Sequence, residues 1–559
     1  MRVPANRDWA KIGAFLRGDW PLPIPPRLIV GPERSHEALW GSQMTGLVER
    51  AVGAEFVALD TEYAPQTRLL HTIGVGWGHG GVVEGFQVLQ TPHLSNVGRD
   101  RLTDILHAIM TQVPVVYQNA VGADLPVLEQ AFGLRYVDHK RVDDLMLAHA
   151  ELWREWPHDL GFLASMYGVY PKMKHLAKRD PALYNWGDVL DTICAWRGVV
   201  KEMAQDPPVR QLYEEALQLI PVLLESHKRG LRVAKARVEP AGAEYQERLE
   251  TARRLAWSYA GWKINLGEAQ LKEQLYTREG FPVQKHKETR EPTLNGDAVA
   301  ELRRWWADNR GGPMPDFEEE ERDGLTVEAA LARTEAGSHP LLEARVVYAD
   351  ALQVASHYLR PLRLDDSTLR GRVYPEFRIH AQANARWSTV NPDDCKDGCG
   401  DPTHRVGLPM AQLPSDLRDL VMPDPECTWL GWDWDQIELR INAALSGDTP
   451  TLDALAQKWD IHTLTACDIF GWERPPDPAD PHGSPSCAEW RARIKWEGKD
   501  DSRRVFAKRF VYRSDYGGSA KNAGSIPGAK QLGLDARALI HGSNRYLAAH
   551  PQKAAWRTK

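Results

Sequence analysis

The sequence predicts a multidomain chain of α/β and α+β units, and three observations lead there. The length of 559 residues suits about three or four domains at about 150 residues each. From Gly53 to about residue 205, short apolar runs alternate with amphipathic stretches, the pattern of an α/β unit. Beyond residue 206 apolar residues recur at helical spacing to about 362, and from Gly371 strand-like and helix-like patterns mix.

Taken in order, residues 1–40 hold the Pro-rich stretch "PLPIPPRLIVGPE" and read as an irregular lead-in. "EFVALDTEY" reads as a strand with Phe56, Ala58, Asp60 and Glu62 on one face. "VPVVYQNAVGADLPVLEQ" gives a second strand, then Asn119 and Asp124, then a helix. In "ALYNWGDVLDTICAW", Tyr184 precedes Asp188 by four residues, which puts both on one face of a helix. Asp206–Pro207–Pro208 reads as a linker, followed by a long helical region, "RQLYEEALQLIPVLLESHKRG", that stops at Gly230. "DFEEEERDG" (316–324) reads as a solvated loop or helix start. "TWLGWD" alternates as a strand ending at Asp433. "DQIE" then starts a helix, with Asp435 and Glu438 at capping-box spacing and Ile437, Ile441 and Leu445 as a buried stripe.

Composition excludes several classes. No run of 18 apolar residues exists, so neither a transmembrane helix nor a membrane partner is expected. The start lacks a signal-peptide core, and six cysteines fit a reducing cytoplasm rather than a disulfide scaffold. The net charge of −7 says little about a single groove. The 21 tryptophans read as compositional bias and core filling.

Two constellations carry chemistry. Asp60 and Glu62 on one strand face repel each other, which fits either a solvated strand end or a bound metal ion. In "RRVFAKRFVYRSDYGG", Arg504, Lys508, Tyr512 and Tyr516 lie four apart and form one helical stripe. Two cations with two aromatic rings suit a nucleotide, and they also suit a basic amphipathic surface helix. Packing leaves Asp433 unexplained.

The first set of motifs, in this order, resembles the proofreading 3′–5′ exonucleases of the Asp-Glu-Asp-Asp type with a tyrosine in the third motif, over about residues 50–205. The resemblance implies an RNase H-like domain in which Asp60, Glu62 and Asp188 hold one metal and Asp60 and Asp124 a second, while Tyr184 orients the attacking water. Four residues separate Asn119 from Asp124, where that family more often has three.

The second half resembles the DNA polymerase I family (family A), through "TWLGWDWDQIE", "DIHTLTACDIFGW", "HAQANARWSTVNP" and the Arg504–Tyr516 stripe. The resemblance implies a right-hand polymerase with thumb, palm and part of the fingers. It implies that Asp433 holds the catalytic metals, Gln436 matches the family's glutamine, and Glu438 blocks a ribose 2′-OH. His462, Arg504 and Lys508 would face the nucleotide's triphosphate, Tyr512 and Tyr516 its base and sugar, and Arg386 the primer–template minor groove. The domains it implies are 1–40 lead-in, 41–205 exonuclease, 206–365 thumb and helical region, 366–470 palm part and 471–559 partial fingers. The implied cofactor is Mg²⁺, two per active site, with Mn²⁺ able to substitute. The implied partners are primer–template DNA and dNTPs, in the cytoplasm of a bacterial or phage-infected cell.

Three departures from the family stand out. "CKDGCGDPTH" (395–404) carries Cys395, Cys399 and His404, which read as a polar loop rather than a zinc site because no fourth ligand is evident. A Pro-rich insertion at about 472–495 reads as a surface loop. No His-Asp-Glu occurs in the sequence, so Asp433 lacks the partner aspartate that the family supplies. The expectation is a polymerase half that is incomplete in this chain and needs a second chain or a further C-terminal segment. The rival expectation is a stand-alone 3′–5′ exonuclease with a DNA-binding second half.

Overall fold

The structure is a computed structural model, and it describes residues 25–64, 67–79, 82–168, 174–313, 315, 325–363, 371–390, 407–434, 436–477, 482, 484–498, 501–515, 526, 529 and 532–556. The chain divides into two compact units, Met1–Gln246 with Leu352–Cys427 and Glu247–Ala351 with Thr428–Lys559. No helix among the described residues is long and apolar enough to cross a membrane.

The first unit is built on six strands: β1 (Leu28–Val30), β2 (Val57–Tyr63), β3 (Leu70–His79), β4 (Val82–Leu89), β5 (Val115–Tyr117) and β6 (Val142–Asp144). Their order across the sheet is β1-β4-β3-β2-β5-β6. β2, β3 and β4 form an antiparallel meander, while β1 on β4, β5 on β2 and β6 on β5 run parallel. The lead-in is therefore not wholly irregular: Leu28–Val30 pairs along the edge of β4 at Phe86–Val88.

β3 reads "LHTIGVGWGH" and shows how sequence sets packing. Ile73, Val75 and Trp77 are buried on one face, and glycines 74, 76 and 78 alternate with them on the other. The long helix Pro181–Met203 packs on β2 and β3. A Cβ on Gly74 would sit 2.5 Å from Asn185 Oδ1 and 2.8 Å from Val189 Cγ2, and one on Gly76 would sit 2.7 Å from Val189 Cγ1. The glycine stripe is what lets the helix backbone come close to the sheet.

Asp206 is a helix cap rather than part of a linker. Its side chain accepts from Val209 N at 3.3 Å and starts the helix Pro207–Leu217, where proline in the first turn gives up no needed N–H. On that helix buried Tyr213 donates to Asp143 Oδ1 (2.9 Å) and accepts from Asp144 N (3.1 Å), so this segment belongs to the first unit's core. The expected long helix divides into Pro207–Leu217 and Ile220–Arg229, and Gly230 ends the second with φ 61°. The same unit contains β7 (Leu231–Val233), β8 (Arg372–Val373) and β11 (Val421–Met422), in the order β11-β7-β8, and the hairpin of β9 (Glu376–Arg378) with β10 (Ser388–Val390).

The second unit is helical in its described residues. Gly296–Arg310 and Pro340–Val354 are joined by a buried ion pair, Arg303 Nη2 to Glu343 Oε2 at 2.7 Å. A separate core gathers Leu439, Trp490, Trp496, Phe506, Phe510 and Tyr546. Trp490 and Trp496 come from the Pro-rich insertion and the residues just after it, so this region is not merely a surface loop: it includes the helix Ala488–Ile494 and supplies core side chains.

Two expectations for this unit are corrected. Thr428–Trp434 forms no strand, and Trp429, Leu430, Trp432 and Trp434 are exposed by 54, 79, 79 and 72%. A strand needs a neighbour for its backbone N–H and C=O groups, and no described strand runs alongside. The helix begins at Ile437, its preceding residue Gln436 has φ 53°, and no side-chain cap bond forms. Ile437, Ile441 and Leu445 share a face, but it is the exposed one. The helix instead buries Leu439 and Ala443, packing on Thr449–Ala456 and Pro551–Trp556.

Candidate active site

β2 and the Pro181–Met203 helix meet at a cluster of acids. Strand alternation puts Asp60 and Glu62 on one side of β2, and one helical turn puts Tyr184 beside Asp188. Asp60, Glu62 and Asp188 each offer a carboxylate oxygen, and these atoms lie within 4.8 Å of one another. Hard oxygen donors at this spacing fit a divalent cation such as Mg²⁺ or Mn²⁺.

Asp124, the fourth expected acid, is the first residue of the helix Asp124–Phe132 and is buried. It is not one of the three clustered carboxylates: its Oδ1 accepts from Thr61 N (3.0 Å) and Thr61 Oγ1 (2.7 Å). Burial pushes its carboxyl up to about 7, although the Thr61 bonds pull the other way. Burial also raises Asp60 well above the usual range, reinforced by the charges of Asp188, Glu62 and Asp124. Tyr184 is raised by burial and by its hydrogen bond to Asp188, so its hydroxyl stays protonated.

Sequence reasoning missed Asn185. This buried side chain donates from Nδ2 to Asp60 Oδ2 at 2.6 Å, and its Oδ1 accepts from Gln87 Nε2 at 2.7 Å. The available signal was the glycine alternation of β3, which marks where a helix must press on the sheet. Asn119 accepts from Gly122 N at 3.3 Å and shapes the turn before Asp124.

Linkage gives a pH signature. With no metal, the contribution of Asp124 to stability is complete below its ordinary value of 3.8 and is lost as pH rises through about 7. A divalent cation binds the ionised form and offsets that loss. The rise in Tm caused by Mn²⁺ is therefore expected to be small at about pH 5.5 and distinctly larger at about pH 8. Thermal melts with and without Mn²⁺ at both values check this, and a shift that shrinks with pH contradicts it.

The residues expected to serve a nucleotide lie in the second unit, except Arg386, which is exposed in the first. Asp433 is exposed in the irregular Thr428–Trp434 stretch, and Glu438 is half-buried in the first turn of Ile437–Ser446. Arg504, Lys508 and Tyr512 share the helix Ser502–Asp515 at the expected spacing, with Lys508 exposed. His462 is buried in Ile461–Phe470, its ring 5.9 Å from that of Tyr512. Tyr516, Asp435, Cys395, Cys399, His404 and the 316–324 stretch lie outside the described residues.

Residues 309–477 match the family model described as DNA polymerase family A. DNA polymerase I of Synechocystis is 24% identical over 468 residues, covering 77% of this chain and 42% of the relative. The thermostable DNA polymerase I of Thermus filiformis is 25% identical over 348 residues, covering 62% of this chain and 33% of the relative. The chain thus spans less than half the length of these curated relatives. Among solved structures, the POL domain of Pol1 from M. smegmatis, in complex with DNA primer-template and dNTP, has a TM-score of 0.61 at 16% identity, covering 95% of this chain and 77% of that one. At that identity the likeness speaks for the fold. Residues 309–477 are thus similar in sequence to family A DNA polymerases, and the fold is similar to that of a polymerase domain.

Proposed function

We propose that the chain couples a 3′–5′ proofreading exonuclease to the nucleotide-handling half of a template-directed DNA polymerase. The observation that carries the exonuclease reading is the convergence of Asp60, Glu62 and Asp188 beside Tyr184. The six-stranded order of the first sheet supports an RNase H-like domain. Asp60, Glu62 and Asp188 would hold one divalent cation, Mg²⁺ or Mn²⁺ in its place, and Asp60 with Asp124 a second. Such ions, when bound, supply an activated water and stabilise the departing oxygen of a phosphodiester. Asn185 fixes the Asp60 carboxylate, Thr61 fixes Asp124, and the protonated Tyr184 hydroxyl is a donor that can orient water.

For polymerisation, Arg504 and Lys508 would meet the triphosphate together with His462. Tyr512 and Tyr516 would meet base and sugar, Gln436 and Glu438 would line the nucleotide site, and Arg386 would contact primer–template. Asp433 would hold the metals with a second carboxylate, and the sequence contains no His-Asp-Glu to supply it. The exposed Trp429, Leu430, Trp432 and Trp434 form an apolar run beside that acid, a feature of surfaces that bind a partner. One observation favours the second reading, an exonuclease with a DNA-binding half: Asp433 joins no cluster of three His, Cys, Asp or Glu ligands among the described residues.

The test uses the pure chain, Mg²⁺ or Mn²⁺, 5′-labelled single-stranded DNA, and separately primer–template with dNTPs. Shortening from the 3′ end is expected, with no extension by the chain alone. Adding a family A C-terminal fragment is expected to give extension that Asp433→Ala abolishes. Extension by the pure chain, lost in Asp433→Ala, would show that the site needs no added segment. Failure of the fragment to bind or rescue leaves the exonuclease reading.

A further inference from the structure

The Pro-rich insertion reaches the helix that carries the nucleotide stripe. His482 lies between Trp496 and Asp460. Trp496 Nε1 donates to His482 Nδ1 at 3.1 Å, and His482 Nε2 is 2.9 Å from Asp460 Oδ2. An indole N–H can only donate, so Nδ1 is the acceptor and Nε2 carries the proton that points at the carboxylate. The two rings stack, 6.0 Å apart and inclined by 14°.

Asp460 gathers donors from three elements. Its Oδ2 accepts from Arg504 Nε (2.7 Å) and Thr463 Oγ1 (2.8 Å) as well as His482. Its Oδ1 accepts from His462 N (3.1 Å) and Arg504 Nη2 (3.3 Å), capping the helix Ile461–Phe470. Burial opposes the charge, but the Arg504 bond and charge, with Thr463 and His482, hold the carboxyl well below the usual range. The adjacent Arg503 is held by the same region: its guanidinium donates to Ile494 O (2.8 Å) and Lys495 O (2.7 Å) and lies over the rings of Trp472 and Trp496.

A long arginine side chain has many rotamers, and gripping one edge of its planar fork fixes the direction of the whole group. A carboxylate can do this only if it is itself held. We infer that Asp460, His482 and Trp496 are positioning residues that fix the Arg504 guanidinium for a nucleotide triphosphate, with the insertion supplying the outer part of the strut. This rests on the nucleotide role proposed for Arg504.

The experiment is calorimetric titration of the full chain with dATP and Mg²⁺. Arg504→Ala is expected to weaken binding by about 10- to 100-fold, as charge-assisted bonds to phosphate are lost. His482→Phe keeps the ring against Trp496 but cannot donate to Asp460, and about tenfold weaker binding is expected. His482→Gln has an amide oxygen to accept from Trp496 and an amide N–H to donate to Asp460, and near-wild-type affinity is expected. In the Arg504→Ala background, His482→Phe is expected to add nothing, because its effect passes through Arg504. Wild-type affinity in His482→Phe, no recovery in His482→Gln, or an equal loss in both backgrounds overturns the strut while leaving Arg504's role intact. No dATP binding by the wild-type chain overturns the nucleotide role and the strut with it.

Discussion

Asp60→Ala is expected to lower metal-dependent 3′–5′ shortening of single-stranded DNA by at least about a thousandfold, since it removes the ligand shared between both proposed cation positions. Asp124→Ala is expected to act in the same direction. The loss should come with an unusual stability signature. Asp60 is half-buried among Asp188, Glu62 and Asp124, and its raised pKa means that its charge is unfavourable there when no metal is bound. Removing it should therefore leave the metal-free Tm unchanged or higher near pH 8, while the Tm rise caused by Mn²⁺ largely disappears. Activity assays beside thermal melts separate this from simple misfolding. Undiminished digestion by an Asp60→Ala, Asp124→Ala double variant would sink the exonuclease assignment.

Gly74→Val should have the second largest effect, at a residue that offers no ligand. Gly74 lies opposite Asp60 in the β2–β3 register, and a Cβ there collides with Asn185 Oδ1 and Val189 Cγ2. To make room, the Pro181–Met203 helix has to lift from the sheet, at a cost of about 1–3 kcal/mol for overpacking. Lifting it carries Asp188 and Tyr184 away from Asp60 and Glu62. A displacement of about 1 Å is expected to cost on the order of a hundredfold in rate. Chemical denaturation gives the first figure and the shortening assay the second. A Gly74→Val chain of full activity would mean that the helix does not set the site.

The parts of this site that were legible in the sequence are those with a local period. Asp60 and Glu62 follow strand alternation, and Tyr184 and Asp188 follow one helical turn, so four residues on two elements could be placed without knowing how the elements meet. Asn185 was not legible because its role comes from contact across the sheet, through Gln87 and Asp60. The same limit explains the helix at Ile437–Ser446. Its apolar stripe was read correctly as one face, but which face is buried is decided by Thr449–Ala456 and Pro551–Trp556. At Thr428–Trp434 the alternation was present, yet a strand also needs a partner. At the insertion the limit is different: proline content marks turns, and says nothing about whether Trp490 and Trp496 reach a core.

The exposed stretch at Trp429–Trp434 has an optical consequence. Three indoles, Trp429, Trp432 and Trp434, stand in water within six residues, whereas Trp77, Trp186, Trp490 and Trp496 are buried. Emission from indoles in water lies to the red of emission from indoles in an apolar core, so this short segment contributes to the red edge of the protein's intrinsic fluorescence, together with the exposed Trp40, Trp153, Trp262, Trp387 and Trp556. Any polypeptide that lies over it moves that edge to the blue, without an added label. The chain thus carries its own reporter of whether the surface beside Asp433 is covered.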